Sequence, residues 1–279
     1  MVNKYNPSGS SSLTISVIVP VVDEASRLAR TLASVGAGGE QDGIEIIVVD
    51  GGSGDGSDVV AAQAGVRVIA SPVRQRAAQM NLGAREAHGS MLLFLHADTS
   101  LPSGWREAVC DGLERTPGCV GGAFCRRFDS DSRVLHTTCW LADLRERWFG
   151  WFLGDQAMFV WRDVFESLGG FASLQPFEDL EFSLRLARAG RTCLLDAVVI
   201  SSGRRFAPKG ALRQTLDDFA LTMRFLKSPQ RFVARAAVPH LTPTASFGPP
   251  SVETPVIHRC PAGGGDGEST LARGDSGGA

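Results

Sequence analysis

The run IEIIVVD at residues 44–50 limits the possible folds more than any other stretch of the chain. It is almost continuously apolar and rich in β-branched residues, which is typical of a strand covered on both faces. Similar short apolar runs recur along the first hundred residues, separated by segments with helical spacing of apolar residues. Strands that alternate with helices favour a mostly parallel sheet. We therefore predict an α/β fold with a Rossmann-type central sheet and helices on both of its faces.

The same patterns predict the order of elements and the extent of the folded part. Strands are predicted at 15–21, 44–50, 66–71, 90–96, 119–128, 156–161 and 192–202. Helices are predicted at 24–35, 57–64, 75–87, 104–115, 162–170, 176–190 and 210–227, and no element is assigned to 129–155. Residues 1–13 are predicted to be a flexible arm, 14–235 a single folded domain, and 236–279 a disordered tail, because the tail is rich in Gly, Pro and Ser.

Composition excludes several classes of protein. A formal net charge of -2 gives no sign of nucleic-acid binding. The six cysteines form no Cys-x-x-Cys pair, so we interpret them as reduced thiols. The first residues lack the apolar segment of a signal peptide, and no run approaches the ~18 apolar residues of a membrane span. These features predict a cytoplasmic protein without a transmembrane segment.

Three predicted strands end in residues that a purely structural strand does not require. They are Pro20, Asp23 and Glu24 after the first strand, Asp50 after the second, and His96 and Asp98 after the fourth. The carboxyl ends of parallel strands meet at one edge of a sheet, where ligands bind. Residues two apart on a strand face the same side. The sequence therefore predicts one ligand-binding crevice at this edge.

Other phosphate-binding motifs do not match. The turn DGGSGDGS lacks the third glycine of a dinucleotide fingerprint, and Asp50 precedes its glycines instead of following them. The chain contains no P-loop sequence. The string HADT has histidine where the nucleophilic aspartate of Asp-x-Asp-x-Thr phosphatases would lie. A nucleotidyltransferase would need a glycine-rich N-terminal loop, which PVVDEAS does not provide.

Four collinear segments resemble a known family. They are ISVIVPVVDEASRLARTLAS, IIVVDGGSGDGS, RAAQMNLGAREAHGSMLLFLHADTSLP and GDQAMFV with the later GGF and FEDLEFSLRLARAG. Together they are similar to family 2 glycosyltransferases with the GT-A fold, from about residue 14 to 230. More narrowly, they resemble the arsenosugar-biosynthesis-type subgroup of that family.

The resemblance implies a role for particular residues. A nucleotide-sugar site is implied at Pro20, Asp23, Glu24, Asp50, Gly51, Gly52, Arg76, Asn81, His96 and Ala97. An acceptor-side motif is implied at Gly154, Asp155 and Gln156. Asp98 corresponds to the last carboxylate of the family's metal motif, which implies Mn²⁺ or Mg²⁺ as cofactor. Asp179 corresponds to the catalytic base, with Glu178 beside it.

Several of these residues also have a purely structural interpretation. Acids in the first turn of a helix stabilise its macrodipole, which alone would explain residues 178 and 179. Asp50 fits an Asp-Gly turn. His96 stands where most relatives have aspartate, and it could bind Mn²⁺, contact the ribose or orient Asp98. The cations of SSGRRFAPKG at 201–210 fit either a diphosphate contact or a solvated loop.

The sequence thus predicts an inverting, metal-dependent glycosyltransferase. The expected donor is a UDP- or GDP-sugar, the acceptor a small molecule or a lipid-linked hydroxyl, and no nucleic acid is involved. The alternative is a catalytically inactive nucleotide-sugar-binding sensor or scaffold. Four tryptophans fall within CWLADLRERWFGWFLGDQAMFVW, so peripheral contact with the inner face of a membrane is left open.

Overall fold

One sheet of nine strands organises the part of the chain that the structure describes. This computed structural model describes residues 13–36, 43–233 and 257–260. The strands are β1 (Ile15–Val21), β2 (Ile44–Asp50), β3 (Arg67–Ala70), β4 (Met91–Phe94), β5 (Thr99–Ser100), β6 (Cys119–Phe128), β7 (Met158–Trp161), β8 (Arg191–Ser201) and β9 (Ile257–Cys260).

Helices connect most of these strands. They are α1 (Ala25–Val35), α2 (Ser57–Gln63), α3 (Arg76–Glu86), α4 (Trp105–Arg115), α5 (Arg133–Phe149), α6 (Arg162–Ser167), α7 (Glu178–Ala189) and α8 (Ala211–Lys227). Short 3-10 turns cover Gly154–Gln156, Arg204–Phe206 and Pro229–Phe232. Within the described ranges, none of the helices has both the length and the apolarity that crossing a bilayer would require.

The strand directions bring several strand ends to one edge. The order is β3-β2-β1-β4-β7-β6-β8-β5, with β9 beside β8. Strands β1 to β4 are mutually parallel, and β7 is antiparallel to both of its neighbours. Because β7 reverses direction between β4 and β6, strands β6 and β8 run the same way as β4. The carboxyl ends of β1, β2, β4, β6 and β8 therefore lie along the same edge.

Two apolar layers cover the faces of the sheet. In β1, Val17 and Val19 pack into one layer with α1, α2 and α4, whereas Ile18 packs into the other with α3, α6 and α7. This alternation follows from the two-residue period of a strand. At about 25 cal/mol per Å² of apolar surface, burial in these layers is the main force holding the sheet in place. The site edge is thus built on a rigid core.

The predicted α/β fold with helices on both faces is confirmed. The strands at 15–21, 44–50 and 119–128 have the predicted bounds, and the predicted helices are present with ends shifted by a few residues. Three elements were not predicted: α5, the two-residue β5, and β9 within the predicted tail. Four residues of that tail thus form a strand. Its remaining residues and most of the predicted arm lie outside the described residues, so the domain bounds stay a prediction.

Candidate active site

A cavity of about 440 Å³ opens at the edge where the strand ends meet. Predicted site residues lining it are Pro20, Glu24, Arg76, His96, Ala97, Asp98, Asp155 and Asp179. Residues contributed by later parts of the chain are Phe128, Leu153, Pro176, Phe177, Ser201, Ser202, Arg204, Arg205, Asp218, Leu221 and Thr222. The predicted crevice therefore exists, and it joins strand ends separated by up to two hundred residues of sequence.

Asp98 lies in the wall of this cavity, close to an arginine from the far side. The Nη2 atom of Arg204 is 3.4 Å from Asp98 Oδ2, and the same guanidinium forms a bidentate pair with Glu24. Burial raises the pKa of the Asp98 carboxyl above its ordinary value, although Arg204 acts in the opposite direction. One cationic group thus lies between two carboxylates at the centre of the site.

His96 also lines the cavity, two residues before Asp98, and is half-buried. Its Nε2 atom has no hydrogen-bond partner among the described residues. Burial, assisted by the positive charge of Arg76, lowers the pKa of His96 to about 3, so the imidazole is neutral at neutral pH. A Cβ on Gly154 would lie 2.5 Å from Nε2 and 2.9 Å from Asp179 Oδ2. Only glycine at position 154 allows this close approach of the two side chains.

The first turn of α7 provides two adjacent acids with different partners. Glu178 is buried and forms an ion pair with Arg76, while burial and the charge of Asp179 raise the pKa of Glu178. Asp179 instead accepts backbone N–H groups, from Gly154 at 2.5 Å and from Leu180 at 2.7 Å. Its two oxygens can together accept about four hydrogen bonds, so the Asp179 carboxylate is oriented and still able to bind a further donor.

Asp155 is held by a buried arginine that the sequence did not identify. Arg126 Nη1 lies 2.6 Å from both carboxylate oxygens of Asp155, and the Arg126 side chain is only 5% exposed. Burial has the largest single effect and would raise the pKa of Asp155, but the charges of Arg126 and Arg205 and the Arg126 hydrogen bond together outweigh it, so the pKa lies below its usual value. Asp155 is therefore ionised, and it is a poor proton acceptor.

These contacts distinguish the five carboxylates that line the cavity. Glu24 and Asp98 share Arg204, Asp155 binds Arg126, and Asp218 binds Arg205 at 3.1 Å. Across residues 13–36, 43–233 and 257–260, Asp179 is the member of this set without an ion pair. The charge of Arg76 acts on Asp179 without an ion-pair contact, and the carboxylate outside an ion pair is the best available base at this site.

Other predicted residues lie beside the cavity and shape it. Asp50 accepts the N–H groups of Gly52 and Ser53 at 3.1 Å, as the turn interpretation predicts. Asp23 accepts the Gly54 N–H at 2.8 Å. A Cβ on Gly51 would lie 2.7 Å from a Val22 methyl group. This part of the predicted nucleotide site is a tightly bonded turn next to the cavity.

Two predicted amides are occupied by backbone contacts. Asn81 bonds both the N–H and the C=O of Phe171 at 2.9 Å. Gln156 accepts the Leu153 N–H at 2.8 Å and donates to the Phe124 carbonyl at 3.1 Å. Both side chains are buried and hold loops against the sheet. In this structure neither lines the cavity.

Sequence reasoning missed the residues that come from the second half of the chain. Arg126 lies near the end of a predicted strand, the same signal that identified Asp50 and His96. The direction of that strand was unknown, so its end could not be assigned to the site edge. The cations at 204 and 205 were noted, and the structure now places both at the cavity.

A second buried acid, Glu146 on α5, makes the stability depend on pH. Its side chain is 1% exposed and lies 3.2 Å from Arg145. Burial raises the pKa of Glu146 to about 7 from 4.5. Between these values the folded chain binds a proton that the unfolded chain does not, so the free energy of unfolding falls as the pH rises. The cost above pH 7 is on the order of 3 kcal/mol.

Glu146→Gln is expected to remove this cost, because glutamine resembles the protonated acid. Denaturant unfolding at pH 5, 6, 7 and 8 should show the variant gaining stability over the wild type as the pH rises. Glu114→Gln, at an exposed position on α4, is the matched control and should follow the wild type. Parallel curves for Glu146→Gln and the wild type would contradict this role of Glu146.

Comparisons with known proteins agree with this geometry. The family model described as Glycosyl transferase family 2 matches residues 16–175. The chain is 32% identical over 107 residues to the pre-mycofactocin glycosyltransferase of Mycobacterium tuberculosis, covering 37% of this chain and 22% of that protein. It is 40% identical over 93 residues to an uncharacterized glycosyltransferase of the same organism, covering 32% and 35%. The chain thus spans about a third or less of these curated relatives.

Solved structures share the fold at low sequence identity. The mannosyltransferase PcManGT from Pyrobaculum calidifontis, in complex with GDP-Man and Mn²⁺, matches with a TM-score of 0.55 and 19% identity over 69% of this chain and 57% of that one. S. aureus TarS 1-349 with UDP-GlcNAc matches with a TM-score of 0.53 and 14% identity over 68% and 56%. These matches confirm the predicted GT-A fold. With the family model covering more than half of its residues, the chain belongs to glycosyltransferase family 2.

Proposed function

We propose that this protein is an inverting, metal-dependent glycosyltransferase that moves a sugar from a UDP- or GDP-sugar to an acceptor hydroxyl. One observation carries the proposal. The cavity is lined by two carboxylates that share Arg204, Glu24 and Asp98, and also by the Asp179 carboxylate, which takes part in no ion pair among the described residues. The Arg204 group suits a diphosphate leaving group, and Asp179 suits an attacking hydroxyl. The complexes of the two structural relatives with GDP-Man and UDP-GlcNAc support this donor class.

The proposed reaction forms one bond to the anomeric carbon and breaks another. The acceptor oxygen attacks from the Asp179 side while the bond to the donor diphosphate breaks on the opposite side, which inverts the anomeric centre. The nucleoside diphosphate leaves with the bonding electron pair. The hydroxyl proton passes to the Asp179 carboxylate, whose orientation is fixed by the N–H groups of Gly154 and Leu180. Such positioned general-base catalysis contributes about 10²–10⁴-fold.

Asp98 and the neighbouring Glu24 fit a hard divalent cation held jointly with phosphate oxygens. Mg²⁺ and Mn²⁺ in nucleotide sites use one or two carboxylates, and the substrate completes the coordination. The described residues contain no cluster of three or more protein ligands, and this mode of binding needs none. Asp98 would hold the cation, with Glu24 nearby. The cation would neutralise the charge that develops on the leaving diphosphate.

The finer assignments rest on the sequence. We propose 14–235 as the catalytic domain, with Gly154, Asp155 and Gln156 supporting the acceptor side. Membership of the arsenosugar-biosynthesis-type subgroup and a cytoplasmic location stay predictions. The acceptor is proposed as a hydroxyl of a small or lipid-linked molecule.

Calorimetric titration of the purified full chain tests the proposed donor site. We expect one of UDP and GDP to bind, and Mn²⁺ to tighten that binding. UMP and GMP serve as matched ligands, since without a second phosphate they should gain much less from Mn²⁺. Absence of binding for both diphosphates, with and without Mn²⁺, would overturn the proposal. Metal-dependent binding without any transfer or donor hydrolysis would favour the inactive sensor or scaffold.

A further inference from the structure

Two neighbouring helices expose an unusual number of large apolar side chains. Of the eight exposed large apolar residues among those described, six lie on α5 and α8. We call them the apolar surface, which consists of Trp140, Leu141, Leu144, Leu212, Leu216 and Phe219. Single exposed apolar residues are normal on a soluble protein, but a contiguous group marks an interaction site.

The two helices lie side by side and run in the same direction. Ala211 at the start of α8 packs on the cluster that contains Leu135, near the start of α5. Phe225 near the end of α8 packs in a cluster with Trp151, just beyond the end of α5. Between these points the Thr138 and Thr215 hydroxyls are 3.4 Å apart. The exposed stripes of α5 and α8 are therefore adjacent over several turns.

The stripe on α8 is sharply one-sided. At about 100° per residue, positions 212, 216 and 219 fall within about 60° of one another around the helix axis. Phe219 is 63% exposed, Leu212 61% and Leu216 59%, although the opposite side of α8 is buried through Phe225. The helix thus carries a second apolar face that points away from the protein.

Cations border this stripe along one edge. Arg213 and Arg224 lie about 60–80° from Leu216 around the axis, and Lys227 lies closer. In the described chain Arg224 and Lys227 take part in no ion pair, and the nearby Asp217 is bound by Lys209 at 3.0 Å. Cations in the last turn also favour the helix macrodipole, but Arg213 is in the first turn, where the macrodipole disfavours a cation. The macrodipole therefore does not explain why all three cations lie along this edge of the stripe.

An apolar stripe with a cationic border is the pattern of helices that lie in the interface of an anionic bilayer. A second copy of this chain fits less well. A two-fold interface uses the same surface of both copies, so it would enclose six cations of this edge, three from each copy, and their like charges disfavour it. Negatively charged headgroups complement the same edge.

We propose that the apolar surface binds the protein peripherally to an anionic lipid bilayer, with the α8 cations on the headgroups and Phe219 and Trp140 among the upper acyl carbons. On the opposite side of the same helix, Asp218, Leu221 and Thr222 line the cavity. Helix α8 would therefore lie between the bilayer and the cavity in the bound protein.

Vesicle co-sedimentation of the full chain tests this. The probes are phosphatidylcholine vesicles and vesicles with 30% phosphatidylglycerol, at low and high salt. Each cation near an anionic surface contributes roughly a kilocalorie per mole, so the three α8 cations should give on the order of a hundredfold preference for anionic vesicles, reduced by salt. Two triple variants, L212Q/L216Q/F219Q and R213Q/R224Q/K227Q, should each lose most of this binding.

Two control variants test whether a loss of vesicle binding is specific to the apolar surface and to the α8 cations. Val59→Gln changes an exposed apolar residue on α2, and R30Q/R85Q/R188Q removes three exposed arginines on α1, α3 and α7. Both should bind vesicles like the wild type. The proposal would be overturned if the wild-type protein stayed in solution, or if the two triple variants bound vesicles as well as the wild type does. A concentration-dependent dimer that L212Q/L216Q/F219Q abolishes would also overturn it. Nucleotide binding by L212Q/L216Q/F219Q should persist, so this result is independent of the proposed donor site.

Discussion

Replacing Asp98 by alanine is expected to make nucleoside diphosphate binding insensitive to Mn²⁺. With Mn²⁺ present, the wild-type protein should bind the preferred nucleotide on the order of a hundredfold or more tighter than without it. Mutation of groups that only contact a metal's ligands already costs about 10–100-fold in metal affinity, so loss of the ligand itself should cost at least as much. Without the ion, the variant should bind the nucleoside diphosphate at least as tightly as the wild type does. The reason is that the Asp98 carboxylate, which only the wild type has, repels the diphosphate. Calorimetry with and without Mn²⁺ measures both effects.

Asp58→Ala is the matched control for this variant. Asp58 is exposed on α2 and does not line the cavity, so its removal should leave the Mn²⁺ effect intact. The Asp98 role would be wrong if Asp98→Ala kept the full metal-dependent gain. A variant that binds poorly under all conditions, with an unchanged melting temperature, would instead indicate that Asp98 contacts the nucleotide itself.

Asp179→Asn is expected to abolish transfer while leaving donor binding unchanged. The amide cannot accept the acceptor proton, so kcat should fall by about 10²–10⁴-fold. One of the N–H groups of Gly154 and Leu180 loses its acceptor, which costs about 1–3 kcal/mol of stability. Single-turnover transfer, calorimetric donor affinity and the melting temperature together separate a lost base from a distorted site.

Asp163→Asn offers a close structural match. Asp163 also lies in the first turn of a helix, α6, and accepts the N–H of the next residue, Val164, at 2.9 Å. It does not line the cavity, so its variant should transfer sugar at the wild-type rate. Wild-type activity of Asp179→Asn would remove Asp179 as the base, and a parallel loss of donor affinity would assign it to the nucleotide side.

The first half of the fold could be predicted because its signals are local. The run at 44–50 forms an interior strand of the sheet, and helix α1 has one apolar face set by the spacing of its own residues. Polar residues at 96 and 98 follow a parallel strand, so their position at the binding edge follows from the strand direction alone.

The second half depends on contacts that no local pattern contains. Helix α5 buries Leu135 and Cys139 but exposes Trp140 and Leu141, so its apolar residues do not form one stripe and its periodicity was not recognised. Strand β7 is inserted antiparallel between β4 and β6. The antiparallel placement of β7 sets the direction of β6, and this direction brings Arg126 to the site edge.

The site shows the same division between local and long-range information. Positions 96, 98 and 179 were identified from motifs and do line the cavity. Asn81 and Gln156 belong to the same motifs, yet their amides are used by the backbone of Phe171 and Phe124. Sequence motifs thus mark the neighbourhood of the cavity, but only the packing reveals which side chains line it and which hold its wall in place.

The cavity wall is encoded along most of the gene, from the end of the first strand to helix α8. The strand ends that carry Glu24, His96 and Asp98 lie within the first hundred codons, whereas α8, which contributes Asp218 and Leu221, comes more than a hundred codons later. The strand ends belong to a core layer of the sheet, whereas α8 packs through Phe225 on Leu174 and Leu180. Randomising the cavity-facing codons of α8 would therefore vary that part of the wall and leave the strand ends unchanged, which makes this helix the natural target for directed evolution of the proposed acceptor preference.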